Sequence, residues 1–94
     1  MFEITWGSGK KVLLIGRFDA HHVDMARDFF LDIDESCTVD CSGLTNITSS
    51  GLGVLLSAQR RLAEAGHGMK LIKMKQHVKD RFKVAGLDTI FDIE

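Results

Sequence analysis

Three hydroxyl side chains in succession, Thr48, Ser49 and Ser50, stand directly before Gly51-Leu52-Gly53 and an apolar-periodic stretch that reaches Ala65. The order is a buried strand (Val39-Asp40-Cys41), a short loop, the serine pair and then a helix. That order puts both serines where a helix begins, with backbone N–H groups that lack partners inside the helix and the positive end of its dipole. A hydroxyl held there caps the helix, and a phosphate carried there would be stabilised by the same groups. At 100° per residue Ser50 falls on the polar side of the helix with Gly53, Ser57, Arg60, Arg61 and Glu64, whereas Ser49 points elsewhere and suits plain capping. Gly51 and Gly53 in the first turn each cost up to about 1 kcal/mol relative to alanine. Close approach of a partner's backbone would account for that cost, and so would tight packing of the helix on a strand.

Other chemistry fails on spacing. Gly7-Ser8-Gly9-Lys10 has the end of a phosphate-binding loop, but Ile4 and Lys11 stand where that motif needs glycine and a hydroxyl residue. Ser50 is no hydrolase nucleophile, because Thr48 and Leu52 occupy the flanking glycine positions of that turn. His21 and His22 are adjacent and diverge by 100° on a helix, and neither His67 nor His77 sits in a ligand-like pattern. Cys37 and Cys41, four apart on a strand, share a face and read as buried thiols. No carboxylate pair is placed for acid–base work. The expectation is a protein without catalytic residues, metal or cofactor, and not an enzyme.

Ninety-four residues with ordinary apolar content imply one domain over 1–94. The longest apolar run, Val12 to Ile15, cannot span a bilayer, and the N-terminus lacks the pattern of a signal peptide. A cytoplasmic protein with no membrane insertion is expected. Charge is uneven: Arg60 to Lys83 carries eight Lys or Arg against Glu64 and Asp80, while residues 1–59 carry four basic and eight acidic side chains. The basic stretch reads as a solvated surface or as a flank for an acidic protein partner. Nucleic acid is not implied, since its single aromatic, Phe82, sits at a core position.

The elements that must position these residues follow from periodicity. Phe2, Ile4 and Trp6 alternate as a strand, a Gly7-Ser8-Gly9 turn follows, and Lys11 to Ile15 makes a second strand pairing as a hairpin. Gly16 and Asp19 introduce a helix carrying Val23, Ala26 and Phe30, with Asp19 as its cap. Cys37, Val39 and Cys41 form a third strand; a helix from about Ser50 to Ala65 ends at Gly66. Met69, Leu71 and Met74 mark a fourth strand, Val78, Phe82 and Ala85 a third helix capped by Gly86, and Ile90 and Phe91 close the core. In the long helix Leu52, Leu55, Leu56, Ala58, Leu62, Ala63 and Ala65, with Val54 at the margin, form a broad apolar arc. This order implies an α/β fold: a mixed sheet of four or five strands, three to four helices mainly on one face, and a parallel crossover around the long helix.

These residues also resemble the STAS family of anti-sigma factor antagonists, over Gly16 to Phe91. Gly16-Arg17-Phe18-Asp19 is similar to the family's Gly-x-Leu-Asp lead into its first helix, and Val39 to Leu44 to its Asp-Leu-Ser-Gly-Val strand. Ser49 to Leu56 is similar to its Asp-Ser-Ser-Gly-Leu-Gly signature helix, Arg60 to Gly68 to the Ala-Gly-Gly junction, and Val84 to Phe91 to the closing Thr-Gly-Leu-Asp-Lys-Leu-Phe. The resemblance implies a phosphorylation-switched binding module. Its unphosphorylated form would bind an anti-sigma factor and serine kinase of the GHKL type, and a PP2C-type phosphatase would reverse the mark. The implied phosphoacceptor is Ser50, with Ser49 and Thr48 as further acceptors. The expected docking surface is Thr48, Ser49, Ser50, Gly51, Gly53 and Ser57. Thr48 stands where the family carries an acidic residue, and the region before Gly16 is short, which implies a trimmed or exposed edge strand. The family also includes subunits of lipid-transport ABC complexes and regulators of biofilm and surface polysaccharide, which stand as alternatives.

Overall fold

Alternation builds the first two strands. In β2 (Lys11–Phe18) Val12, Leu14, Gly16 and Phe18 are buried while Lys11, Leu13, Ile15 and Arg17 are not. One face of the strand therefore carries the core and the other meets water. The computed structural model describes residues 1–94. β1 (Phe2–Trp6) pairs antiparallel with β2 through a turn in which Gly9 and Lys10 take positive φ, and it forms a complete edge strand. β3 (Cys37–Ile47), β4 (Met69–Ile72) and β5 (Asp92–Ile93) are added in parallel, giving a five-stranded sheet in the order β1-β2-β3-β4-β5. α1 (Val23–Leu31), α2 (Ser49–Glu64) and α3 (Gln76–Val84) make the crossovers. The mixed sheet with three helices is the expected architecture.

β3 departs from the expected short strand. It runs eleven residues, and no loop separates it from α2 beyond Thr48. Its register against β2 slips between Leu13 and Ile15 and again between Gly16 and Arg17. Each slip is a bulge in β3, so its core-facing residues Val39, Cys41, Leu44 and Ile47 recur at two, three and three rather than at two throughout. Asp40 braces the first bulge: its carboxylate accepts the Ser42 N–H at 2.9 Å. Burial pushes that carboxyl up, but the Ser42 hydrogen bonds and the Lys73 and Lys11 charges outweigh it and hold it below its ordinary value.

Several smaller expectations are corrected. Gly16 belongs to β2, where it takes φ +91 and a Cβ would meet the Met1 carbonyl. Asp19 caps a 3-10 turn (Ala20–His22) by accepting the His21 N–H, and α1 begins one turn later. Met74 lies beyond β4, although buried. Ile90 is 43% exposed, and Phe91 alone closes that corner, edge-on to Phe82 at 5.4 Å. The apolar arc of α2 is narrower than the periodicity suggests: Leu52, Val54, Leu55, Ala58 and Leu62 are buried, Leu56 is half-buried, and Ala63 and Ala65 are exposed. Gly66 and Gly86, both with positive φ, end α2 and α3 in the same way. In each case the following N–H reaches back five residues, His67 to Leu62 and Leu87 to Phe82, at 2.8 Å.

Cys37 and Cys41 are free thiols, half-buried and buried. Burial, aided by the Asp40 charge, pushes the Cys41 thiol up to about 12. Within the basic stretch, Lys70 pairs with Glu94 at 2.9 Å and Lys75 donates to the Ser42 carbonyl at 2.5 Å. No helix is long and apolar enough to cross a membrane.

Candidate functional site

The start of α2 is anchored on the last residue of β2. The Thr48 N–H donates to the Phe18 carbonyl at 3.0 Å, so the chain leaves β3 already tied to the sheet. Thr48, extended at φ −99 and ψ 175, is the N-cap residue, and its side chain makes no capping bond. Ser49 is therefore the first helical residue rather than the cap, and it is exposed. The first intrahelical bond runs from the Leu52 N–H to the Thr48 carbonyl at 2.9 Å. The N–H groups of Ser49, Ser50 and Gly51 precede it and have no acceptor within the helix.

The two glycines have different reasons. Gly51 is buried, and a Cβ there would come to 2.8 Å from Ile47 Cγ1 and 2.9 Å from the Phe18 carbonyl oxygen. It lets α2 sit tightly on the sheet, so among the expected docking residues Gly51 is buried. A Cβ on Gly53 would meet nothing within 4 Å. Gly53 is exposed, and no packing inside the chain requires it.

Ser50, Gly53 and Ser57 recur at helical spacing and line one side of a groove of about 610 Å³ between α1 and α2. Val54, Ala58 and Arg61 of α2 complete that wall; Val23, Arg27, Phe30 and Leu31 of α1 form the other. Because β2, β3 and β4 are parallel, the crossover helices run in one direction, and Val23 of the first turn of α1 lines the same groove as Ser50 of the first turn of α2. Arg61 ties the far ends together. Its guanidinium donates to the carbonyls of Phe30 and Ile33, both at 2.6 Å, as a second donor to Phe30, which also accepts the Ile33 N–H at 3.0 Å. Arg61 is thus a brace between helices and not part of a solvated polar face.

Arg27 differs. It is bent back one turn to Asp24, Nη1 to Oδ1 at 3.1 Å. The α1 wall, including Arg27, was not expected from the sequence, since local periodicity carries no signal for which helices share a groove. Beside the start of α2, Asp19 gathers Arg17 at 3.4 Å, His22 at 3.0 Å and His21 at 3.3 Å. The His21 N–H is the main cause that holds the Asp19 carboxyl below its ordinary value, against the opposing effect of burial. No group of three or more His, Cys, Asp or Glu side chains is placed to hold a metal ion.

Ser50, at the second helical position, is a half-buried hydroxyl on the wall of a groove that carries two guanidinium groups. The family model described as "Mlab, STAS domain" matches residues 7–92. The chain belongs to the STAS domain family. Among solved structures, this STAS domain resembles an anti-sigma factor antagonist from Mycobacterium paratuberculosis, with 16% identity and a TM-score of 0.81, covering 99% of this chain and 83% of that one. It also resembles the Bacillus cell fate determinant SpoIIAA in the phosphorylated form, with 19% identity and a TM-score of 0.71, over 100% of this chain and 91% of that one. The unphosphorylated form of SpoIIAA matches at 19% identity and a TM-score of 0.68, over 88% and 82%. At these identities the likeness is one of fold. No curated protein matches this STAS domain by sequence.

Proposed function

We propose that this STAS domain is a phosphorylation-switched protein-binding module of the anti-sigma factor antagonist type, and not an enzyme. In its unphosphorylated form it docks an anti-sigma factor and serine kinase of the GHKL type through Thr48, Ser49, Ser50, Gly53 and Ser57. The kinase transfers the γ-phosphoryl group of ATP to the Ser50 hydroxyl oxygen; ADP leaves and the hydroxyl proton is lost. A PP2C-type phosphatase hydrolyses the ester and restores the binding form.

The observation that carries this reading is the placement of Ser50. Its hydroxyl-bearing side chain lines the groove at the start of a helix locked to the sheet through Thr48, Phe18 and Gly51. A phosphate there adds about −1.5 to −2 charges in the middle of the surface a partner must cover. Binding is opposed without any change of fold, because the partner would have to bury a dianion. SpoIIAA, whose fold this chain shares, exists in both phosphorylated and unphosphorylated forms.

The test is mass spectrometry after incubation with the cognate GHKL-type kinase and ATP. Phosphate on Ser50 is the expected result; phosphate on Ser49 or Thr48 instead would contradict it. Thr48 replaces the family's acidic residue, and that observation favours a second reading, in which the same groove meets a partner that is no kinase, such as a component of a lipid-transport ABC complex. Under that reading no site is phosphorylated and the complex forms regardless of ATP.

A further inference from the structure

We infer that Arg27 is the intramolecular ligand of a phosphoryl group on Ser50, reached by release from Asp24; the inference rests on Ser50 being the phosphoacceptor. The groove holds two guanidinium groups, Arg27 and Arg61, and no carboxylate lines it. Such a lining suits an anion. Arg61 is committed to the carbonyls of Phe30 and Ile33. Arg27 is held only by Asp24, through one N–O contact at 3.1 Å, with the two side chains 56% and 90% exposed. An exposed pair three residues apart on a helix contributes little.

The direction of that contact matters. Asp24 lies one turn before Arg27, so the guanidinium is drawn toward the start of α1. Ser50 lines the opposite wall of the same groove. A phosphomonoester there offers three oxygens and nearly two charges. A guanidinium binds it through two parallel N–H bonds, a stronger pairing than the single contact to Asp24. Phosphorylation therefore moves Arg27 from Asp24 across the groove to Ser50. The side chain then covers the Ser50–Gly53 stretch, so the mark closes the docking surface sterically as well as adding charge.

The test uses the full chain with phosphoserine installed at position 50 during synthesis, which requires no kinase. The phosphorus resonance is followed from about pH 4 to about pH 8, across the second ionisation of the ester near 6. His21 and His22, held against Asp19, are unchanged in every variant compared. The ester should titrate about one unit lower in the native chain than in Arg27→Gln, the shift expected of an opposite charge within contact distance. Arg27→Lys should recover part of the shift, and Asp24→Asn should leave it at least as large. Phosphorylation should also raise the unfolding temperature of the native chain more than that of Arg27→Gln. Equal titration of the native and Arg27→Gln chains would overturn the proposal. An Arg27-dependent shift together with failure of the kinase to mark Ser50 would sink the switch and leave the phosphate site standing. Kinase action on Ser50 without that shift would do the reverse.

Discussion

A Cβ on Gly51 would come to 2.9 Å from the Phe18 carbonyl oxygen, so α2 rests on the end of β2 with no side chain between them. That contact fixes the height of the helix start above the sheet and, one residue earlier, the position of Ser50 in the groove. Gly53, two residues on, meets nothing within 4 Å. Gly51 is thus required by packing and Gly53 is not.

Alanine at these positions should act with opposite signs. Gly51→Ala forces backbone apart from backbone and should destabilise the fold by about 1–3 kcal/mol. Gly53→Ala gains helix propensity at no steric cost and should stabilise it by about 0.5–1 kcal/mol. Urea unfolding with an unchanged slope reads both. Gly53→Arg should unfold almost as the native chain does yet bind the partner far more weakly; undiminished affinity would place the interface elsewhere.

Removing the Arg61 brace should loosen α1 at its end. Arg61→Ala removes the Ile33 carbonyl's side-chain donor and one of two donors to Phe30, and should cost about 1–3 kcal/mol. Both bonds come from one nitrogen, Nη2, so Arg61→Lys, with one ammonium on a shorter stem, should recover part of that. Amide hydrogen exchange should rise first in Phe29 to Ile33, while the centre of α2 stays protected.

The Cys41 thiol, pushed up to about 12 from an ordinary 9.0, should be inert at neutral pH. Only the thiolate attacks, so alkylation in the folded chain at pH 8 should run about a thousandfold slower than in urea. Because the folded pKa is raised, the fold favours the protonated thiol. That contribution is complete below 9.0 and is lost as pH rises toward about 12. Cys41→Ala should flatten the alkaline fall in stability, and an unchanged slope would show that other groups cause it.

The hairpin, the α2 register and the glycine stops at Gly66 and Gly86 are legible in the sequence because each is a local pattern. Phe2, Ile4 and Trp6 alternate, and apolar residues recur at helical spacing. The second half of β3 is not legible. Its two bulges shift Leu44 and Ile47 to a spacing of three, which reads as a loop. For the same reason Ser49 looks like a cap: a loop would have ended there, whereas the strand continues to Ile47 and leaves Thr48 as the only residue before the helix. β5 has two residues and no periodicity to detect. Ser50 is identifiable from its position at the start of the helix, but Arg27, Phe30 and Leu31 join its groove only through the pairing of α1 with α2. That pairing is set by sheet order, a long-range property.

The central claim is that phosphate on Ser50 decides whether the partner binds, and calorimetric titration of the GHKL-type partner tests it most directly. Three forms are compared: the unmodified chain, the chain phosphorylated at Ser50, and Ser50→Ala challenged with kinase and ATP. The account predicts tight binding by the first, affinity lower by roughly a hundredfold or more in the second because a dianion is desolvated, and binding by the third that ATP does not abolish. Equal affinity of the unmodified and Ser50-phosphorylated chains, with both folded, would contradict it.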